Sequence, residues 1–385
     1  MNLVYWLTSF NLFALALTVS DIFLTFYIWD KSSSIRTISI YHLAMFITIP
    51  IFAILAGILS EKRSPVDGYS IGLLIRAFVF ILVIFFPKFI MDNIWLFGSI
   101  YGASIGISAV SANIINSKIF ENSLEKMMSF NVIIGSITNL MAPFFATIIA
   151  STLGFNPLLA ASLLFLLLAW MSSRKIEKLV YGDGGFNLLN GSLLKRKTNN
   201  NLLFLVQFIE GIRSGFLWAY AGILAYIFVG GIKSWGMYNL FFTGLTILFG
   251  LIFSKTLRLH TNKLFVVTTG LFYSLACLLL GVNFSLGYFL FYSLVMSFVS
   301  AVGWSSFLGT INQIMKEDSD FEKYRIEYYV AIELPLALGR IIPLLLILIF
   351  NVNKFSDFGI RFSWILVGII PIISFSLLNR SRVWK

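Results

Sequence analysis

The chain of 385 residues has little of what a soluble enzyme uses for chemistry. Its one cysteine, Cys277, excludes an intrachain disulfide and any cysteine-built metal centre. Its two histidines, His42 and His260, cannot form a histidine-rich metal cluster. Charged residues make up 12% of the composition, where a soluble globular chain carries about 25%. So little charge cannot cover a globule of this size with water-compatible surface, which excludes a soluble enzyme and a disordered chain alike. There is no Gly-x-x-x-x-Gly-Lys-Ser/Thr stretch, so the sequence carries no ATP-binding loop of that type. No cofactor is expected.

What fills the chain instead is apolar: 58% of its residues are hydrophobic, and its mean hydropathy is +0.90. A membrane-spanning helix takes about 20 such residues, which leaves room for roughly eleven or twelve. Breaks at charge, Gly, Pro and Asn clusters yield twelve apolar segments, at 4–29, 38–60, 69–87, 94–117, 128–150, 155–172, 202–229, 236–253, 264–282, 285–311, 327–350 and 361–378. The first is too long for a signal-peptide core and has no basic leader, so it is expected to remain as a span. Backbone groups in lipid must be satisfied internally, which permits only helices or closed barrels. Nothing alternates as barrel strands do, so the expected class is an all-α integral membrane protein with twelve transmembrane helices.

The net charge of +11 would point to nucleic acid in a soluble protein. Here it reads as topology, because cytoplasmic loops collect Lys and Arg, and no nucleic-acid partner is expected. With the N-terminus inside, nineteen of the 28 basic residues fall in inner loops and the C-terminal tail, and six in outer loops. The other three, Arg76, Arg213 and Arg340, fall inside spans. Both termini are therefore expected in the cytoplasm. The longest polar stretch, 173–201, divides the chain into bundles at 1–172 and 202–385 with six spans each. It carries Gly182–Asp183–Gly184–Gly185, and its part from Phe186 to Lys197 reads either as a basic amphipathic turn on the inner membrane surface or as a plain linker.

The halves resemble each other. Gly57–Ile58–Leu59–Ser60–Glu61–Lys62 is answered by Gly250–Leu251–Ile252–Phe253–Ser254–Lys255, and the stretch Gly135 to Pro143 by Pro335 to Pro343. The near-constant offset indicates duplication of a six-helix unit.

Twelve spans divided six and six, a basic central loop, inward termini and the loop residues Gly57, Glu61 and Lys62 resemble the major facilitator superfamily of secondary transporters. That family shows Gly, three residues, an acid and a base in this loop. Ser64 stands where a second Gly is typical, and Pro65–Val66–Asp67 lack the later basic residues. The resemblance implies two pseudo-symmetric six-helix bundles. It also implies a gating role for Gly57, Glu61 and Lys62, and a cavity lined by spans 1, 4, 7 and 10. Candidate lining residues are Ser104, Ser108, Ser111, Trp304, Ser306, Thr310 and Gln313, with Asn131 and Asn139 on span 5. The 40 phenylalanines are expected mostly to face lipid.

Ionisable groups inside a bilayer cost several kcal/mol, so each needs a role and a partner. Asp21 shares a helical face with Thr18 and Thr25 and has no basic neighbour on its own helix. An isolated carboxylate there suits proton exchange. Glu210 and Arg213 are spaced to pair directly, either as a transport element or as a lock between helices, and Tyr220 extends their stripe. Glu333 and Arg340 share a face about 10.5 Å apart along the axis, so each looks to other helices or to substrate. Arg76 is close enough to the inner loop to snorkel out.

The function these readings support is secondary active transport of a small organic solute across the cell membrane by alternating access, coupled to protons, with export as one direction. The expected partners are solute, protons and membrane lipids, and the expected state is a monomer. The alternatives are a flippase for an anionic lipid-linked substrate, a membrane-embedded lipid-modifying enzyme, and a non-transporting sensor or scaffold. No catalytic group set is evident. The acid run Glu317–Asp318–Ser319–Asp320 reads as a solvated loop.

Overall fold

The computed structural model describes residues 3–119, 141–179, 185–188, 198–253, 263–316, 321–350 and 358–379. Asn131, Asn139, Gly135 and the acid run 317–320 lie outside them. The elements are helical throughout: α1 (Leu3–Ser32), α2 (Ile35–Lys62), α3 (Pro65–Phe85), the short α4 (Pro87–Asp92), α5 (Ile94–Ile119), α6 (Met141–Thr152) and α7 (Phe155–Ser173). They continue with α8 (Thr198–Val229), α9 (Ile232–Phe253), α10 (Lys263–Val282), α11 (Leu286–Phe298), α12 (Trp304–Lys316), α13 (Arg325–Ile349) and α14 (Phe358–Leu378). A π-helical turn, Val299–Gly303, joins α11 to α12. Among the described residues, 11 helices are long and apolar enough to cross a membrane. The fifth expected span is represented by α6, and the rest of it lies outside the described residues. The protein is a multi-pass, all-α membrane protein.

Local chemistry sets the helix ends. Ser34 caps α2 by accepting from the Thr37 N–H at 3.2 Å, and Ser64 caps α3 by accepting from Val66 N–H at 3.2 Å, with Pro65 opening the helix. The α8–α9 turn runs through Gly230 (φ 83°) and Gly231 (φ 120°), a conformation that side chains with a Cβ resist.

The chain forms two compact units, Met1–Asn190 with Arg325–Leu334, and Gly191–Tyr324 with Pro335–Lys385. Helix α13 is thus shared, and the division falls at Pro335, which lacks the N–H that would continue the ladder.

In the first unit, Gly98, Gly102 and Gly106 of α5 lie against the backbone of α2 at Tyr41, Met45 and Ile49. Their spacing puts one backbone on another, which is how helices pack tightly where lipid offers no hydrophobic drive. A second, antiparallel seam joins α3 to α5, with Gly68 against Ser111 and Gly72 against Ser108. Trp6 stacks edge-on to Tyr69 at 5.1 Å and donates to Asn116 Oδ1 at 3.0 Å. In the second unit, Gly211 of α8 meets Leu336 and Gly339 of α13, and Trp364 packs edge-on to Phe216 at 5.2 Å and to Tyr292 at 4.8 Å.

Some of the phenylalanines fill the interior and others lie at the surface. Phe13, Phe23, Phe46, Phe80 and Phe216 are buried, whereas Phe78, Phe85 and Phe241 are exposed. Aromatic volume is needed to fill gaps between bundled helices as much as to cover them. The duplicated glycines also differ in use. Gly57 is tightly packed, while among the described residues a Cβ at Gly250 would meet no atom within 4 Å.

Candidate functional site

Each unit holds its own buried charge network. In the first, α1 supplies Asp21, α3 supplies Arg76 and α5 supplies Tyr101 and Ser104. Tyr101 Oη donates to Asp21 Oδ1. Arg76 is 2% exposed and its Nε donates to Ser104 Oγ at 3.2 Å. Its guanidinium lies over two aromatic faces, Tyr101 at 4.9 Å and Phe13 at 5.1 Å. Its Nη1 is buried with no hydrogen-bond partner among the described residues. A cation held on aromatic faces keeps part of its solvation through the ring quadrupoles.

Two sequence expectations change here. Arg76 does not snorkel: its helix faces α5, and the Gly68–Gly72 seam brings that face close enough for Ser104 to take the guanidinium. Asp21 is not isolated either, because Tyr101 bonds it from another helix and Arg76 shares the same ring. Contacts across 80 residues of sequence leave no mark on either helix's own pattern. Thr25 bonds back to the Asp21 carbonyl at 3.4 Å, and Thr18 to the Ala14 carbonyl at 2.9 Å.

Of the serine stripe, Ser104 joins the network. Ser108 donates to the Ser104 carbonyl at 2.7 Å and, like Ser111, sits in the helix seam with α3. Tyr101 was missed by sequence reasoning; a Tyr one turn from Ser104 in a Gly-rich helix was its only signal.

In the second unit, Arg213 Nε donates to both Glu210 oxygens, at 2.8 and 3.0 Å, and Nη2 also bonds Oε1. The pair expected from the spacing is formed. The guanidinium lies over the Tyr273 ring at 5.3 Å. Tyr220 is buried, 5.3 Å from Phe216. Arg340 donates to Ser214 Oγ at 3.4 Å and lies over the Trp218 ring at 5.2 Å, so α8 presents both Arg213 and the partners of Arg340. Glu333 is half-buried on the part of α13 that belongs to the first unit. Thr310 is buried and Gln313 exposed; the side chains of Trp304 and Ser306 lie outside the described residues.

The loop residues occupy the end of the first unit. At Gly57 the nearest atoms to an added Cβ belong to the Phe186 ring of the central segment and to Val330 of α13. Glu61 is half-buried and Lys62 exposed. Ser64, in place of the family's Gly, accepts from Val66 N–H and from Leu179 N–H at 3.1 Å. Among the described residues, no three His, Cys, Asp or Glu side chains come together as a metal site.

No protein-family model matches the chain. It is 23% identical over 375 residues to YqgE of Bacillus subtilis (strain 168), described as uncharacterised, covering 96% of this chain and 87% of that one. Its structure is similar to that of the nucleoside transporter NupG, with a TM-score of 0.67 and 14% identity over 99% of this chain and 100% of that one. It is also similar to a D-xylose–proton symporter, with a TM-score of 0.69 and 13% identity over 98% and 96% of the two chains. The chain has the fold of the major facilitator transporters. These neighbours are transporters, not enzymes.

Proposed function

We propose that this chain, which has the major facilitator fold, is a proton-coupled secondary transporter of a small organic solute. The observation that carries the reading is the Asp21–Tyr101–Arg76 network, a carboxylate and a cation inside a membrane bundle joined through one aromatic ring. Ionised Asp21 accepts from Tyr101 and offsets the Arg76 charge. Protonation removes that negative charge and leaves Arg76 less compensated, so the two protonation states favour different arrangements of α1, α3 and α5. Alternating access then exposes bound solute to each side of the membrane in turn.

On this reading, Glu210, Arg213, Glu333 and Arg340 serve solute binding or coupling, together with Tyr220, Trp304 and Gln313, and Gly57, Glu61 and Lys62 serve gating. Arg340, half-buried on the Trp218 face, suits a carboxylate or phosphate on the solute. The basic-residue asymmetry supports cytoplasmic termini in a cell membrane. The protein acts as a monomer among membrane lipids.

The test is flux into proteoliposomes with an imposed pH gradient, using a panel of nucleosides, pentoses and small organic anions. Wild type accumulates one of them. Asp21→Asn loses accumulation against the gradient but keeps counterflow exchange, because only the coupling step is removed. Accumulation by Asp21→Asn at the wild-type level would falsify the assignment. In the same assay, Arg340→Ala raises the half-saturating concentration of an anionic solute about tenfold, the loss expected for one charge-assisted hydrogen bond. An unchanged value removes Arg340 from the site.

A further inference from the structure

The central segment touches the first unit at two places. At the first, Lys178 Nζ lies 3.0 Å from Asp67 Oδ2, and Leu179 N–H reaches the buried Ser64 Oγ that also caps α3. At the second, Phe186 fills the space left by the missing side chain at Gly57. A Cβ there would stand 2.5 Å from the ring and 2.8 Å from Val330. Phe186 and Leu188 pack on a buried cluster drawn from three helices: Ala53 and Ala56 of α2, Ile107, Val110 and Ile114 of α5, and Ile326 and Val330 of α13. Between them, the Asn187 N–H donates to the Glu327 carboxylate. The Phe186 and Leu188 side chains are thus taken up by the protein, and the rest of the stretch to Lys197 lies outside the described residues.

The three helices it joins are not equivalent. Helices α2 and α5 belong wholly to the first unit, whereas α13 leaves it after Leu334, at Pro335. The start of α13 is bound to the first unit by the Ile326 and Val330 side chains and by Arg325 Nη1 on the Ser117 carbonyl at 3.4 Å. Phe186 sits at the Gly57 socket and packs on the cluster that holds Val330, so lifting the start of α13 would uncover the apolar surface they share.

We propose that the described part of the central segment, Lys178–Leu179 and Phe186–Leu188, is an autoinhibitory strap, with Phe186 as a wedge that keeps the start of α13 seated on α2 and α5. This rests on the transporter reading and adds its regulation: the strap must unseat before that end of the first unit can open. Factors that pull on the segment would set the rate of opening.

The test reads opening without any solute. Val110→Cys, in a Cys277→Ser background, places a thiol on α5 under the start of α13, where the native side chain is 0% exposed. Its modification rate by a water-soluble maleimide reports how often α13 lifts. Phe186→Ala is expected to raise that rate about tenfold, as befits loss of a buried aromatic anchor. Phe186→Leu, which keeps apolar bulk in the socket, stays within about threefold of wild type. Gly57→Ala, which pushes the ring out from the other side, raises the rate like Phe186→Ala. Unchanged labelling in both Phe186→Ala and Gly57→Ala, or equal acceleration by Phe186→Leu and Phe186→Ala, overturns the strap. Failure here leaves the flux assay untouched, and failure of flux leaves these labelling rates standing.

Discussion

Glu210→Ala is expected to cost the protein about 3–5 kcal/mol, because it strands a buried cation. Arg213 gives Nε to both carboxylate oxygens, and Glu210 is only 6% exposed. The Tyr273 ring over which the guanidinium lies offers a quadrupole, which attracts a cation but cannot neutralise it. The loss should lower the midpoint of thermal unfolding in detergent by about 10 °C for a unit of this size. The double variant Glu210→Leu with Arg213→Leu should recover most of it, since removing both ions also removes their desolvation cost. A Glu210→Ala protein that melts with wild type would show that the pair contributes nothing to the fold. The double variant also separates the two readings of the pair. If it folds and still carries solute, the pair is packing; if it folds and carries none, the pair belongs to transport.

Gly102→Ala should be strongly damaging to the first unit. A Cβ at Gly102 would sit 2.9 Å from the Met45 Cα and 3.0 Å from its carbonyl carbon. Backbone cannot rotate away as a side chain can, so α5 must move off α2 along the whole seam with Gly98 and Gly106. The expected cost is about 3 kcal/mol, the upper end for overpacking. The comparison is Gly244→Ala on α9, where among the described residues an added Cβ meets nothing within 4 Å. There the change should stabilise the protein by about 0.5–1 kcal/mol through helix propensity alone. Thermal unfolding of the two variants side by side checks the argument. Equal midpoints would mean that the α2–α5 seam tolerates separation.

Legibility in the sequence followed the range of the interaction. The Glu210–Arg213 pair was readable because three residues along one helix set its distance. The Gly98–Gly102–Gly106 spacing marks a small-residue face on α5, but the α2 backbone that it meets lies on another helix. Arg76 was misread because its distance to the inner loop is a one-helix measure, while its partners, Ser104 and the Tyr101 and Phe13 rings, come from two other helices. Gly57 stands out in the sequence through the loop motif that it opens. What approaches it, the Phe186 ring, lies in a stretch whose composition reads as linker.

Run length and charge scarcity determined that this chain is a helical, many-spanned membrane protein. Lipid imposes that demand on each segment separately, so each segment records it. Folding alone decided which helix faces meet, and with them the Asp21–Tyr101–Arg76 junction, the serines spent on packing and the seat of Phe186. Those contacts depend on where distant segments stand against one another, and no local pattern of residues encodes that distance.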